Sequence, residues 1–123
     1  MSSLQLQSEI RAHSAWKQKF EFAIAGIHRE PLDAQSAGDH TRCELGQWLL
    51  DNGSKFAAYP MFQQLLATHR DFHLVASQIV SKVNDGKTAE ADTLLNTDFN
   101  ALSETIVFQL QQMRNIVNLD ANK

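Results

Sequence analysis

Apolar residues recur at steps of three or four along three separate stretches of this chain. That rhythm restricts the fold more than any other feature. In the first stretch, about Ser3 to Ile27, the repeating positions are Ile10, His13, Trp16, Phe20, Ile24 and Ile27. They form one face of an α-helix. The second stretch, Pro60 to Asn84, carries Phe62, Leu65, Leu66, His69, Phe72, His73, Ala76, Ile79, Val80 and Val83 on its face. Leu74 and Val75 widen that face, so this helix is expected to be the most buried element. Pro60 suits a first helical position, and Asn84-Asp85-Gly86 is a stop signal. The third stretch starts near Thr88, a suitable N-cap, and carries Leu95, Phe99, Leu102, Ile106, Leu110, Met113 and Val117. A weak start, kink or break is expected in it near Asn96-Thr97. No strand-like alternation competes with these patterns.

The interval between the first two stretches holds a shorter element. Thr41-x-x-Glu44 reads as a capping box that starts a helix at about Arg42, and Asn52-Gly53 would stop it. Trp48, Leu49 and Leu50 can pin this helix to a core. Before it, Arg29 to His40 reads as a polar connection bracketed by Pro31 and Gly38, long for a small domain. The predicted fold is therefore all-α: an up-and-down antiparallel bundle of three long helices, plus a short helix carrying Cys43. At 123 residues, without repeats or low-complexity segments, the chain is expected to form a single domain over residues 1–123.

Composition matters here mainly for what it excludes. A net charge of −3 argues against nucleic acid as a partner. A lone cysteine rules out an internal disulfide and suits a reducing compartment. No apolar run approaches the roughly 20 residues that a membrane span needs, and no signal-peptide pattern opens the chain. A cytoplasmic location is expected, with no membrane contact.

Three of the five histidines, His13, His69 and His73, fall inside apolar stripes. Burying three imidazoles without partners would cost several kcal/mol of desolvation. His69 and His73 are one helical turn apart on one face, a chelating arrangement. Cys43, placed in the first turn of its helix, would sit at the positive end of the helix dipole, which favours the thiolate. Together His13, Cys43, His69 and His73 make a nitrogen–sulfur set of the kind that suits tetrahedral zinc. Four protein ligands indicate a closed, structural or regulatory site, whereas a hydrolase keeps a position for water. His40, three residues before Cys43, competes for a ligand place but falls in the connection, beside the site or exposed. His28 is expected at the surface. Set against this, a lone buried cysteine often packs as a small hydrophobe, and single core histidines are more often hydrogen-bonded than metallated.

Ala12-His13-Ser14-Ala15-Trp16, Cys43-Glu44-Leu45-Gly46-Gln47-Trp48 and His69-x-x-x-His73 resemble the chemoreceptor zinc-binding (CZB) domain family. The resemblance runs in order and spacing over roughly Ser8 to Ile116. It implies a helical bundle with zinc held by His13, Cys43, His69 and His73. Members of that family are bacterial and cytoplasmic. They usually sit beside a chemoreceptor signalling domain or a diguanylate cyclase, in chemotaxis or cyclic-di-GMP signalling, and often dimerise. Zinc occupancy, or oxidation of the cysteine by hypochlorous acid in some members, controls their output. No effector domain accompanies the 123 residues, so a stand-alone sensor acting on a separate, unknown signalling partner is expected.

The leading expectation is thus a regulatory zinc module, not an enzyme, and a homodimer. Phe22 and Phe108 point away from their stripes, and Ala15 shares the outer side of Phe22, so these residues could mark the dimer surface. A hemerythrin-like di-iron or oxygen-binding bundle is the second reading. It needs carboxylates beside the histidines, and the nearest in sequence are Asp71 and Glu44. A zinc hydrolase would need a glutamate next to the first histidine of the pair, where His69-Arg70-Asp71 has arginine. A metal-free interaction bundle is the remaining reading.

Overall fold

A computed structural model of the chain describes residues 3–26, 34–39 and 43–121. The first long helix, α1 (Ser3–Ile24), ends three residues short of the predicted Ile27. Gly26 takes φ +79 and its N–H bonds the Ala23 carbonyl at 3.1 Å, closing the helix. Ile27, His28 and Pro31 lie outside the described residues. The long helix α5 (Pro60–Asn84) has the predicted bounds, with Pro60 in its first turn. It is closed by Gly86 at φ +76 and by the Lys87 N–H bonding Lys82 O at 2.8 Å. Val75 of α5 is buried, but Leu74 is 55% exposed, so the apolar face is narrower than predicted.

The last stretch has the predicted irregularity at the predicted place. It comprises α6 (Thr88–Leu94), a π-helical turn (Leu95–Phe99) and α7 (Asn100–Ala121). Thr88 is its first helical residue, and Lys87 holds the cap position instead, without a side-chain bond. Side-chain bonds accompany the π-turn. Asn96 Nδ2 donates to Asp92 O at 2.9 Å and Thr97 Oγ1 to Thr93 O at 2.7 Å, bonds that compete with the backbone ladder. The wider turn keeps Ala91, Leu95 and Phe99 on the same buried side as Ile106, Leu110 and Met113.

Between α1 and α5 lie three short helices, α2 (Ala34–Gly38), α3 (Glu44–Asp51) and α4 (Gly53–Phe56). The polar connection predicted from Arg29 to His40 therefore contains a helical turn. The predicted capping box fails. The helix starts at Glu44, and Cys43 itself is the N-cap, its sulfur accepting the Gly46 N–H at 3.3 Å. Thr41, Arg42 and His40 lie outside the described residues. Past α3, Phe56 reaches the core and stacks on Trp48 with ring centroids 5.7 Å apart.

Side-chain pairs give the helix directions. His13 meets His69 and Trp16 meets Phe72, so α1 and α5 run the same way. Gly38 lies on Ser77, Cys43 on His69 and Trp48 beside Phe62, so the limb of short helices descends along α5. The α7 end returns to α4, just before α5, where Lys55 pairs with Asp120 at 2.9 Å. The chain is thus an up-and-down bundle whose second limb is assembled from short pieces. Among the described residues, no helix is long and apolar enough to cross a membrane.

Candidate metal centre

The bundle faces that bury apolar residues also bury the histidines. His13, His69 and His73 are each 3% exposed or less, and Cys43 is half-buried. The helical repeat puts His69 and His73 one above the other, with Nε2 atoms 3.1 Å apart. Descent of the α2–α3 limb along α5 brings Cys43 Sγ to 3.1 Å from His69 Nε2. The parallel course of α1 delivers His13, whose ring centroid lies 5.6 Å from that of His69. Donor atoms of His13, Cys43, His69 and His73 all lie within 4.8 Å of one another. The four residues predicted from three distant segments are brought together; His28 and His40 fall outside the described residues.

Hydrogen bonds orient two of the rings. His73 Nδ1 donates to Ala37 O at 2.8 Å, and His13 Nδ1 donates to Glu9 O at 2.9 Å. Each ring is then left with Nε2 as its lone-pair atom, as expected for metal ligands braced from behind. Around His69 Nε2, a sulfur and a second ring nitrogen converge at the same 3.1 Å. One N–H can serve only one of them, whereas a shared cation serves all. Nitrogens on a tetrahedral zinc are separated by about 3.3 Å, given bonds of about 2.0–2.1 Å. The donor set therefore fits zinc: one soft sulfur and three borderline nitrogens, with no carboxylate in the cluster.

The brace on His73 depends on close packing. A Cβ on Gly38 would lie 3.0 Å from Ser77 Cβ and 3.2 Å from Ser77 Oγ. Gly38→Ala is expected to push α2 off α5 and lower stability by about 1–3 kcal/mol. Thermal unfolding checks this, and an unchanged midpoint would contradict it.

Burial sets the protonation states. It pushes His13 down to about 4, against a smaller opposing effect of its bond to Glu9. The ring is therefore neutral at pH 7 and its lone pair is available. Burial also pushes the Cys43 thiol up, outweighing the Gly46 N–H bond. This corrects the sequence expectation: the helix terminus alone does not stabilise the thiolate. A bound zinc ion would supply the missing positive charge and favour the deprotonated sulfur.

Sequence reasoning missed Glu9. Asp71 pairs with Arg70 at 3.7 Å, half-exposed, and takes no part in the cluster. The carboxylate beside an imidazole is Glu9, with Oε2 at 3.6 Å from His13 Nδ1. Burial first, then a hydrogen bond with Glu44, raises its carboxyl to about 7. Its spacing of one helical turn before His13 is the pattern that singled out His69 and His73. A cleft of about 340 Å³ between α3 and α5, lined by Gly46, Leu49, Leu66, Ala67, His69 and Arg70, opens onto the cluster at His69.

A helical bundle that gathers three imidazoles and a thiol around one point is, by fold and donor chemistry, a zinc-binding module. Residues 13–80 match the family described as chemoreceptor zinc-binding domain, and the chain belongs to that family. The matched span contains all four clustered residues and ends within α5. No curated protein and no solved structure matches the chain.

Proposed function

We propose that His13, Cys43, His69 and His73 hold one zinc ion and that the attachment of Cys43 is the regulated step, read by a signalling partner. The observation that carries this reading is the convergence of the four donor atoms within 4.8 Å. The division of labour among the elements supports the regulatory part. His13, His69 and His73 sit on helices of 22 and 25 residues that also build the core. Cys43 instead caps a helix of eight residues. A thiolate can be protonated or oxidised away from a metal while the imidazoles stay in place.

Release of Cys43 is expected to loosen the segment from Asp39 to Gly53 while the long helices remain folded. Hydrogen exchange on Cys43→Ser, and on wild type treated with hypochlorous acid, tests this. Selective loss of protection over that segment supports a switch. Uniform loss across α1, α5 and α7 would mean that the metal is a structural staple. A di-iron centre is disfavoured because, among the described residues, the cluster has no carboxylate and takes no ligand from α7.

The chain is also proposed to act as a homodimer in the cytoplasm. Phe22 and Phe108, on neighbouring helices α1 and α7, are 47% and 55% exposed, as a partner-facing pair would be. Light scattering at micromolar concentration should give twice the 13.8 kDa chain mass, and a monomer would contradict it.

A further inference from the structure

We infer that Glu9 is a positioning residue of the metal centre. Its buried carboxylate provides the counter-charge that holds His13, and the helix bearing Cys43, toward a bound cation. The inference rests on the zinc reading and goes beyond it, because Glu9 is not one of the four donors.

Glu9 is only 5% exposed, although it is ionisable. Carboxylates that deep are rare unless something compensates their charge. Among the described residues, no lysine or arginine pairs with it. Its neighbours are instead parts of the metal centre. Its Oε2 lies 3.6 Å from His13 Nδ1, and its own carbonyl oxygen accepts from that nitrogen at 2.9 Å. Its side chain also reaches that of Glu44, the residue after Cys43.

None of these neighbours is a permanent cation. Three neutral imidazoles and one thiolate leave a divalent ion with an uncancelled positive charge. A carboxylate one ring away offsets it in a medium that screens poorly. The Glu9 carbonyl orients the His13 ring by accepting its Nδ1–H, and the carboxylate 3.6 Å from the same nitrogen makes that ring more basic. Through Glu44, it also ties the start of α3 to α1. Glu9 thus adds little to the fold when the metal is absent and supports the centre when the metal is present.

This contrast between the loaded and the metal-free protein separates a positioning role from a structural one. Zinc affinity is to be measured by competition with a chromophoric chelator, and thermal unfolding on the metal-free protein. The proteins are wild type, Glu9→Gln, His13→Ala and the double variant. Glu9→Gln is expected to weaken zinc binding by about 10- to 100-fold. Its metal-free unfolding midpoint should stay the same or rise, because a neutral amide of nearly the same shape can still donate to Glu44 and carries no buried charge. In the His13→Ala background, the same substitution should cost less than about threefold, since the route through the ring is gone. Wild-type affinity in Glu9→Gln would overturn the inference. So would a lowered metal-free midpoint, or a full loss that persists without His13. Failure of the zinc reading looks different: wild type takes up no zinc, or His13→Ala binds as tightly as wild type, and the inference falls with it.

Discussion

His69→Ala is expected to weaken zinc binding by roughly a hundred- to a thousandfold and to be the most severe of the four single-ligand losses. His69 Nε2 is the atom on which the cluster converges, 3.1 Å from both Cys43 Sγ and His73 Nε2. A four-ligand zinc site in a small protein binds with about 10–16 kcal/mol. One ligand's share, a quarter of that, is then about 2.5–4 kcal/mol, or roughly a hundred- to a thousandfold in affinity. Cys43→Ser should lose less, because the three imidazoles on the long helices remain. His40→Ala should keep the metal. The metal-free His69→Ala protein should stay folded, since the ring contacts of His69 are with His13 and His73 while Phe72, Phe99, Leu110 and Met113 keep the core packed. Metal analysis of the dialysed variants checks the order. Retention of zinc by His69→Ala, or its loss from His40→Ala, would show that the ligand set is wrong.

Phe72→Ala is expected to cause the largest loss of stability and to weaken zinc binding without removing a ligand. Phe72 is fully buried, and its ring lies 4.8 Å from Phe99, 5.4 Å from Trp16 and 5.3 Å from His13. It therefore joins the hydrophobic core to the wall of the metal cluster. Truncating a buried phenylalanine costs about 3–5 kcal/mol through lost transfer energy and an unfilled cavity. For a chain of this size that lowers the unfolding midpoint by roughly 10–20 °C. Zinc should recover part of the loss, because a ligand bound only by the folded state stabilises it by mass action. Calorimetry with and without zinc checks both parts. A drop below about 1 kcal/mol would contradict the packing role given to Phe72.

The long helices were legible because their apolar stripes are continuous and their ends carry strong signals. Pro60 and Gly86 bound α5 as expected, and the Asn96-Thr97 irregularity was visible as a weakened pattern. The end of α1 was overrun because Ile27 extends the stripe past Gly26, whose positive φ stops the helix whatever follows. The start of α3 was misread for a chemical reason. Thr41-x-x-Glu44 has capping-box residues, but a cysteine sulfur takes the cap instead, a role that pattern rules do not give to cysteine.

The four clustered residues were legible because histidines inside an apolar stripe stand out. Glu9 did not stand out, since its burial depends on how α1 meets α3 and not on its own neighbours in sequence. The Cys43 thiol shows the same limit. The dipole at a helix start can be read from sequence, whereas the desolvation that overrides it depends on tertiary packing.

X-ray absorption at the zinc edge, on protein loaded with a limiting amount of the metal, bears most directly on the central claim. His13, Cys43, His69 and His73 should appear as three nitrogen scatterers at about 2.0–2.1 Å and one sulfur at about 2.3 Å, with one zinc bound per chain. Loss of the sulfur shell alone in Cys43→Ser would complete that result. A wild-type spectrum without sulfur, or with a light-atom shell that persists unchanged in His69→Ala, would contradict the site described here.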